Sequence, residues 1–236
     1  MLFFPITIVD DFFPDPDSVL ELAKKVDYDQ PKRTNYPGVS TSLRLYQIDE
    51  RLAQYTVEKL LATYWDPDSH DFHWNVDSDF QKITPHQNPY LNQGLIHADN
   101  VVGHMCTAII YLNKNDSYNA GTSFYYKKKG LESSLIFAEK VNQTYMDEVK
   151  DFHKTGIETE ELTKQIEDHR KNFEETMRVQ AKYNRMVLFP SEMWHSQTTY
   201  GDETRYTVRC FVTDVLATVK PNKGMKARLP MLRYIN

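Results

Sequence analysis

The stretch RMVLFPSEMWHSQTTYGDETRYTVRCFVTDV, residues 185–215, decides how this chain is read. Two apolar, β-branched runs, RMVLF at 185–189 and RYTVRCFVTDV at 205–215, flank a polar segment that carries His195. Runs of that composition, bounded by Pro, Ser, Gly and Asp, are strand signals. In the second run Arg205, Thr207 and Arg209 alternate with Tyr206, Val208 and Cys210, so a strand places the three polar side chains on one face. In a dry interior such a face is costly unless its charges are paired and its hydroxyls satisfied.

Working outward, FHWNV at 72–76, MCTAIIYL at 105–112 and TSFYYKK at 122–128 read as further strands separated by polar, Gly- or Pro-containing turns. No strand–helix alternation supports a doubly wound sheet, and no Gly-rich phosphate loop is present in the sequence. Short strands spread over this length fit a double-sheet barrel or jelly roll, whose interior can shelter a metal. Toward the N-terminus, PITIVDDFF at 5–13 suggests an opening strand. A helix near 16–26 follows, with Asp15 as cap, Pro16 at its first position and Val19, Leu22, Ala23 and Val26 as its stripe. A second helix near 50–65 carries Ala53, Val57, Leu60, Leu61 and Tyr64 at helical spacing. Between them TNYPGVSTSLRLYQI, 34–48, contains a Pro-Gly turn and then a strand or extended edge.

Residues 131–182 differ, being charged and helical in pattern. Leu162, Ile166, His169, Phe173 and Met177 form one long stripe, and Val141, Tyr145, Val149 and Phe152 suggest an earlier partner helix. This reads as a helical hairpin inserted between core strands, able to cap a substrate or create a dimer surface. The expected class is mainly β with added helices: one domain over 1–236, a core at about 71–215 and a helical insertion at 131–182.

With 236 residues, 40% hydrophobic and 26% charged, the chain can bury one substantial core, and its net charge of -5 argues against nucleic-acid binding. The C-terminal VKPNKGMKARLPMLRYIN has five Lys or Arg and no acid, which suits a phosphate-containing substrate or an acidic protein face. It is too short and too little organised for a nucleic-acid module. Cys106 and Cys210 both sit in apolar runs and read as buried thiols in a reducing compartment. The opening MLFFPITIVDDFF is broken by Asp10 and Asp11 and lacks a basic leader, and no later stretch is long enough to span a bilayer. A soluble, cytoplasmic protein is expected.

Within IHAD, 96–99, a single residue separates His97 from Asp99, so on a strand both point the same way. Together with His195 they supply two histidines and a carboxylate, a set that holds Fe(II) on one face and leaves the opposite positions open. The same set suits zinc, in which case Glu192 or Asp202 would be the guessed base or acid of a hydrolase. Arg205 can clamp the distal carboxylate of a dicarboxylate ligand and Thr207 can add a hydroxyl. Taken without the triad, the same strand reads better as an exposed edge with ordinary surface arginines.

At these residues the chain resembles the 2-oxoglutarate and Fe(II)-dependent dioxygenases, particularly their prolyl-hydroxylase-like branch. His97, Asp99, His195 and Arg205, ten positions after the distal histidine, match the family's pattern. AIIYLN…NAGTSFYY at 108–126 is similar to its strand, turn and return strand, with Ala120-Gly121-Thr122 where Gly-Gly-Thr is usual. NRMVLFPSEMWHS at 184–196 is similar to the strand and turn that deliver the distal histidine. The likeness spans about 76–215, and the opening VDDFFPDPDSVLELA with YPG looks like an uncharacterised bacterial or phage branch. The resemblance implies a double-stranded β-helix (jelly roll, cupin-like) with N-terminal helices. It implies Fe(II) on His97, Asp99 and His195, with 2-oxoglutarate as co-substrate held by Arg205 and Thr207. It further implies hydroxylation of an unactivated C–H bond in a small molecule or peptide, using molecular oxygen and yielding succinate and carbon dioxide. The alternative is a noncatalytic metal-binding cupin.

Arg209 is a second basic candidate on the same face, and the assisting tyrosine is open among Tyr46, Tyr90 and Tyr111. His86 and His104 read as surface or supporting residues, and His153 and His169 as incidental to the insertion. Asn113 and Asn119 shape a turn. Trp194 either walls the pocket or packs beside it. A homo-oligomer is compatible with the insertion's apolar stripe, and no membrane partner is expected.

Overall fold

The computed structural model describes residues 6–29, 38–65, 73–85, 91–99, 105–114, 119–128, 159–217 and 232–234. The expected earlier partner helix at 141–152, together with His86, Tyr90, His104 and His153, lies outside them.

Strand β1 (Thr7–Val9) leads into helix α1 (Pro16–Lys25), whose first turn is capped by the Asp15 carboxylate accepting from the Ser18 N–H, with Pro at its start. Val19, Leu20 and Ala23 are its buried residues; Leu22 and Val26 only flank the core. A two-residue strand β2 (Val39–Ser40) precedes helix α2 (Leu45–Ile48), which stands where an extended edge was expected. Helix α3 (Glu50–Leu61) is capped by Asp49, and Ala53, Val57, Leu60, Leu61 and Tyr64 are all buried as their spacing implied.

The strands β3 (His73–Ile83), β4 (Cys106–Tyr111), β5 (Gly121–Lys127), β7 (Met186–Pro190) and β9 (Arg205–Ala217) lie on the five runs read as extended. One helical expectation fails. Helix α4 (Glu160–Arg170) ends at Arg170, and Phe173–Gln180 forms strand β6, paired antiparallel with β5. Phe173 and Met177 continue the helical count of Leu162 and Ile166 by coincidence. The strand's residues 174–178 are exposed and mostly charged, so it has no alternating apolar signal and owes its conformation to backbone pairing. The added segment therefore stops before Phe173.

A short strand β8 (Trp194–Gln197) pairs with β5, giving a three-stranded sheet β6-β5-β8. The larger sheet has seven strands in the order β1-β7-β4-β9-β3-β2, with β10 (Leu232–Tyr234) added parallel to β9 and every other pair antiparallel. The two faces of the larger sheet differ. On one, Ala108, Ile110, Met186, Leu188, Val208 and Cys210 share a core with α1 and α3. On the other, Ile109, Tyr111, Val187 and Phe189 pack against Phe124 and Val179 of the small sheet. Alternation along β9 sends Arg205, Thr207 and Arg209 to this second, inter-sheet side. Gly121 opens β5 so close to β6 that a Cβ there would fall on the Val179 carbonyl oxygen. That explains why glycine stands before Thr122. Among the described residues no helix is long and apolar enough to cross a membrane.

Candidate metal centre

His97 and His195 face each other across an isolated antiparallel bridge. The His97 N–H donates to the His195 carbonyl at 2.9 Å and the His195 N–H to the His97 carbonyl at 2.8 Å. This pairing brings the two rings to a centroid distance of 4.4 Å. Asp99 is fixed by its N–H, which donates to the Ser191 carbonyl at 2.6 Å, just past the end of β7. Its Oδ1 lies 3.5 Å from His97 Nε2 and its Oδ2 3.4 Å from His195 Nε2. One ligand atom from each of the three residues falls within 4.8 Å of the others.

Each imidazole is oriented for coordination. His97 Nδ1 is 2.8 Å from the Leu95 carbonyl and His195 Nδ1 is 2.8 Å from the Met193 carbonyl. A carbonyl only accepts, so each Nδ1 carries a proton and Nε2 is the nitrogen left to bind a metal, which on His97 means losing the proton it shares with Asp99. Burial, then the neighbouring His97, pushes the His195 pKa down to about 4, which keeps that ring neutral. Burial also opposes charge on Asp99, but the hydrogen bond and attraction from His97 outweigh it, holding the carboxyl well below its ordinary range. Burial likewise disfavours protonated His97, and the hydrogen bond and attraction to Asp99 overcome it and raise its pKa. A preformed carboxylate beside a neutral imidazole is a cation-binding arrangement.

The surroundings are asymmetric. The His195 side chain is 4% exposed and packs against Phe189 (4.6 Å) and Phe124 (6.5 Å), whereas that of His97 is 40% exposed, so the site opens on the His97 side. Two hydroxyls support the carboxylate: Thr107 Oγ1 donates to Asp99 Oδ2 at 2.8 Å and lies 3.0 Å from Ser191 Oγ.

The two arginines of β9 part company here. Arg209 is paired with Asp79, Nη2 to Oδ2 at 2.6 Å and Nε to Oδ1 at 3.2 Å, and Arg44 also reaches Asp79 at 3.4 Å. Arg205 is 5% exposed, its guanidinium lies 4.8 Å from the Tyr111 ring centroid, and its Nε and Nη1 are buried with no hydrogen-bond partner among the described residues. Thr207 donates to Gln81 Oε1 at 3.2 Å. Tyr111, buried beneath Arg205, has its hydroxyl 2.7 Å from that of Thr122, whereas Tyr46 is exposed. Buried Ser123 and Thr198 are hydroxyl partners at 2.7 Å. Buried donors without acceptors are rare in folded proteins. Two on one guanidinium fit a carboxylate ligand.

Other residues settle into structural places. Trp194 packs against Phe173 in a tilted ring contact at 5.0 Å. Asn113 accepts from the Tyr206 N–H and donates to the Thr204 carbonyl, tying the end of β4 to the start of β9. Sequence reasoning passed over Thr107 and Ser191. For Thr107 the available signal was the period of two along β4, which puts it on the same face as Tyr111.

A family model described as "Family of unknown function (DUF6445)" matches residues 4–204. No curated protein matches the chain. Among solved structures, the chain is similar to a prolyl hydroxylase from Trichoplax adhaerens in complex with a hypoxia inducible factor oxygen degradation domain peptide fragment. That likeness is at 11% identity and a TM-score of 0.50, over 88% of this chain and 82% of that one. It is also similar to HygX from Streptomyces hygroscopicus with nickel and 2-oxoglutarate bound, at 10% identity and a TM-score of 0.53, over 89% of this chain and 82% of that one. At such identities the likeness is one of fold.

Proposed function

The chain belongs to the family of unknown function DUF6445, and we propose that it is an Fe(II)- and 2-oxoglutarate-dependent dioxygenase that hydroxylates an unactivated C–H bond of a small molecule or peptide. The observation that carries this reading is the pairing of a two-histidine, one-carboxylate cluster with a buried Arg205 whose Nε and Nη1 lack partners. A structural zinc site or a noncatalytic cupin gives no reason to keep such an arginine. The two sheets are read as a double-stranded β-helix, in keeping with the fold likeness to a prolyl hydroxylase and to HygX. The domain is taken as 1–236, with its core at about 71–215.

His97 and His195 would hold the metal through Nε2 and Asp99 through a carboxylate oxygen, all on one side. When bound, Fe(II) and 2-oxoglutarate supply an oxidative decarboxylation, giving succinate and carbon dioxide, that drives hydroxylation by molecular oxygen. The chain's own residues do the rest. Arg205 offers Nε–H and Nη1–H to the distal carboxylate, in a setting where burial strengthens charge-assisted bonds. Tyr111 supports that guanidinium from below, and Thr207 borders it on β9. Thr107 keeps Asp99 oriented. Phe124 and Phe189 exclude water from the His195 side, so access is from the side where His97 is exposed. The buried free thiols of Cys106 and Cys210 suit a reducing, cytoplasmic setting.

Incubation with Fe(II), 2-oxoglutarate and oxygen, followed by detection of succinate, tests this reading. Slow succinate formation without added substrate is expected from the unaltered protein and none from His195→Ala. No turnover across a broad substrate panel would reject the oxygenase reading in favour of a zinc or noncatalytic protein.

A further inference from the structure

We propose that the C-terminal end of α4 is a clamp that positions both histidine-bearing segments of the iron site, with His169 and Arg170 as its positioning residues. This role presupposes the iron site proposed above. Arg170 spans two segments at once: Nη1 donates to the Gly94 carbonyl and Nη2 to the Tyr125 hydroxyl, both at 2.9 Å. The guanidinium also lies 5.7 Å from the Tyr125 ring centroid. That same hydroxyl accepts from Ser196 Oγ at 3.2 Å. One end of the chain of contacts is therefore three residues before His97, and the other is the residue after His195. His169 adds a third attachment, its Nε2 lying 2.9 Å from the carbonyl of Ile96, the immediate neighbour of His97. Its ring packs on Phe173, which in turn packs on Trp194 beside His195, each at 5.0 Å.

The need for a clamp follows from the local backbone. His97 belongs to no strand; a single isolated bridge to His195 is its only ladder contact among the described residues. Holding such a segment in one conformation costs backbone entropy at every residue. Side-chain donors that satisfy the Gly94 and Ile96 carbonyls offset that cost where sheet pairing does not. Basic residues in a helix's last turn ordinarily stay near their own carbonyls. Here both reach away from α4 to the ligand segments, so the helix end shapes the metal centre as well as closing the fold.

The test uses the full chain and Co(II) alone, whose visible spectrum reports the number and arrangement of its ligands. Arg170→Met and Tyr125→Phe should each weaken Co(II) binding about tenfold, the lower end of what loss of a supporting partner does at metal sites, and alter the spectrum. His169→Leu should behave likewise and His169→Gln, which keeps a donor near the Ile96 carbonyl, should recover most of the loss. Lys171→Ala, which removes a surface pair with Asp168 on the same helix end, should match the unaltered protein in Co(II) affinity, spectrum and metal-free urea midpoint. If Arg170→Met does not fold, Tyr125→Phe and the His169 pair decide. Unaltered Co(II) affinity in these variants while His97→Ala loses the ion would overturn the clamp and leave the iron site standing. An equal loss in Lys171→Ala would also overturn it. Retention of Co(II) by His97→Ala would remove the iron site and the clamp together.

Discussion

Replacing Arg205 by methionine separates a ligand-binding arginine from a structural one, because the two roles move stability in opposite directions. Arg205 is 5% exposed, with Nε and Nη1 unpartnered among the described residues. Each unsatisfied buried donor costs about 1–3 kcal/mol, so methionine, which keeps the apolar stem, removes a penalty of about 2–6 kcal/mol. Against that, the contact with the Tyr111 ring at 4.8 Å is lost, worth about 1–2 kcal/mol at a buried site. The net expectation is a ligand-free protein that is unchanged or more stable, a gain at a ligand site traded against function. Co-substrate binding moves the other way. Two charge-assisted hydrogen bonds at about 1.5–3 kcal/mol each correspond to a loss of about 10²–10⁴-fold in 2-oxoglutarate affinity. Urea unfolding of the Mn(II)-loaded protein, with and without 2-oxoglutarate, reads both effects. Saturation at a hundred times Kd should raise the stability of the unaltered protein by about 2.7 kcal/mol and leave Arg205→Met unmoved. A variant that unfolds more easily yet still gains from 2-oxoglutarate would refute the reasoning.

Three further outcomes are expected. Thr107→Val removes the hydroxyl that donates to Asp99 Oδ2 and should weaken Mn(II) binding about tenfold in a calorimetric titration, with little change in fold. Gly121→Ala places a Cβ on the Val179 carbonyl oxygen, forcing β5 and β6 apart; a lowered urea midpoint worth about 2 kcal/mol or more is expected. Asp10, held by hydrogen bonds from Arg185 and Lys182, has its pKa lowered to about 2. Because the folded value lies below the unfolded one, its contribution is present above about pH 4 and is lost as pH falls toward 2. Asp10 is partly exposed, so Asp10→Asn should cost only about 1 kcal/mol at pH 7, and less at pH 3, measured by urea unfolding at the two pH values.

Much of the fold was legible because its central strands are apolar, β-branched runs that need burial. MCTAIIYL and RMVLF carry that signal in full, since both faces of β4 and β7 are covered. FEETMRVQ does not: β6 is an edge strand of the small sheet with an exposed, charged centre, and only its partner β5 makes it extended. At the site, His97, Asp99 and His195 were candidates from residue type, spacing and family likeness, and the fold brings them together. Alternation could not rank Arg205 against Arg209, because both occupy one face. The decisive difference is that Asp79, on β3, faces Arg209. Thr107 was legible in its face but not in its role, and Ser191 and Arg170 were illegible, for a related reason. A threonine, a serine and a surface-type arginine gain their meaning from partners that only tertiary contact supplies. His169, read from sequence as incidental, instead reaches the Ile96 carbonyl.

The most direct measurement is a crystal structure grown without oxygen in the presence of Fe(II) and 2-oxoglutarate, with anomalous diffraction recorded at the iron edge. One anomalous peak per chain is expected, within coordination distance of His97 Nε2, an Asp99 carboxylate oxygen and His195 Nε2, with the co-substrate's far carboxylate on Arg205 Nε and Nη1. A peak bound by other residues, or an Arg205 that gains no carboxylate, would contradict the account.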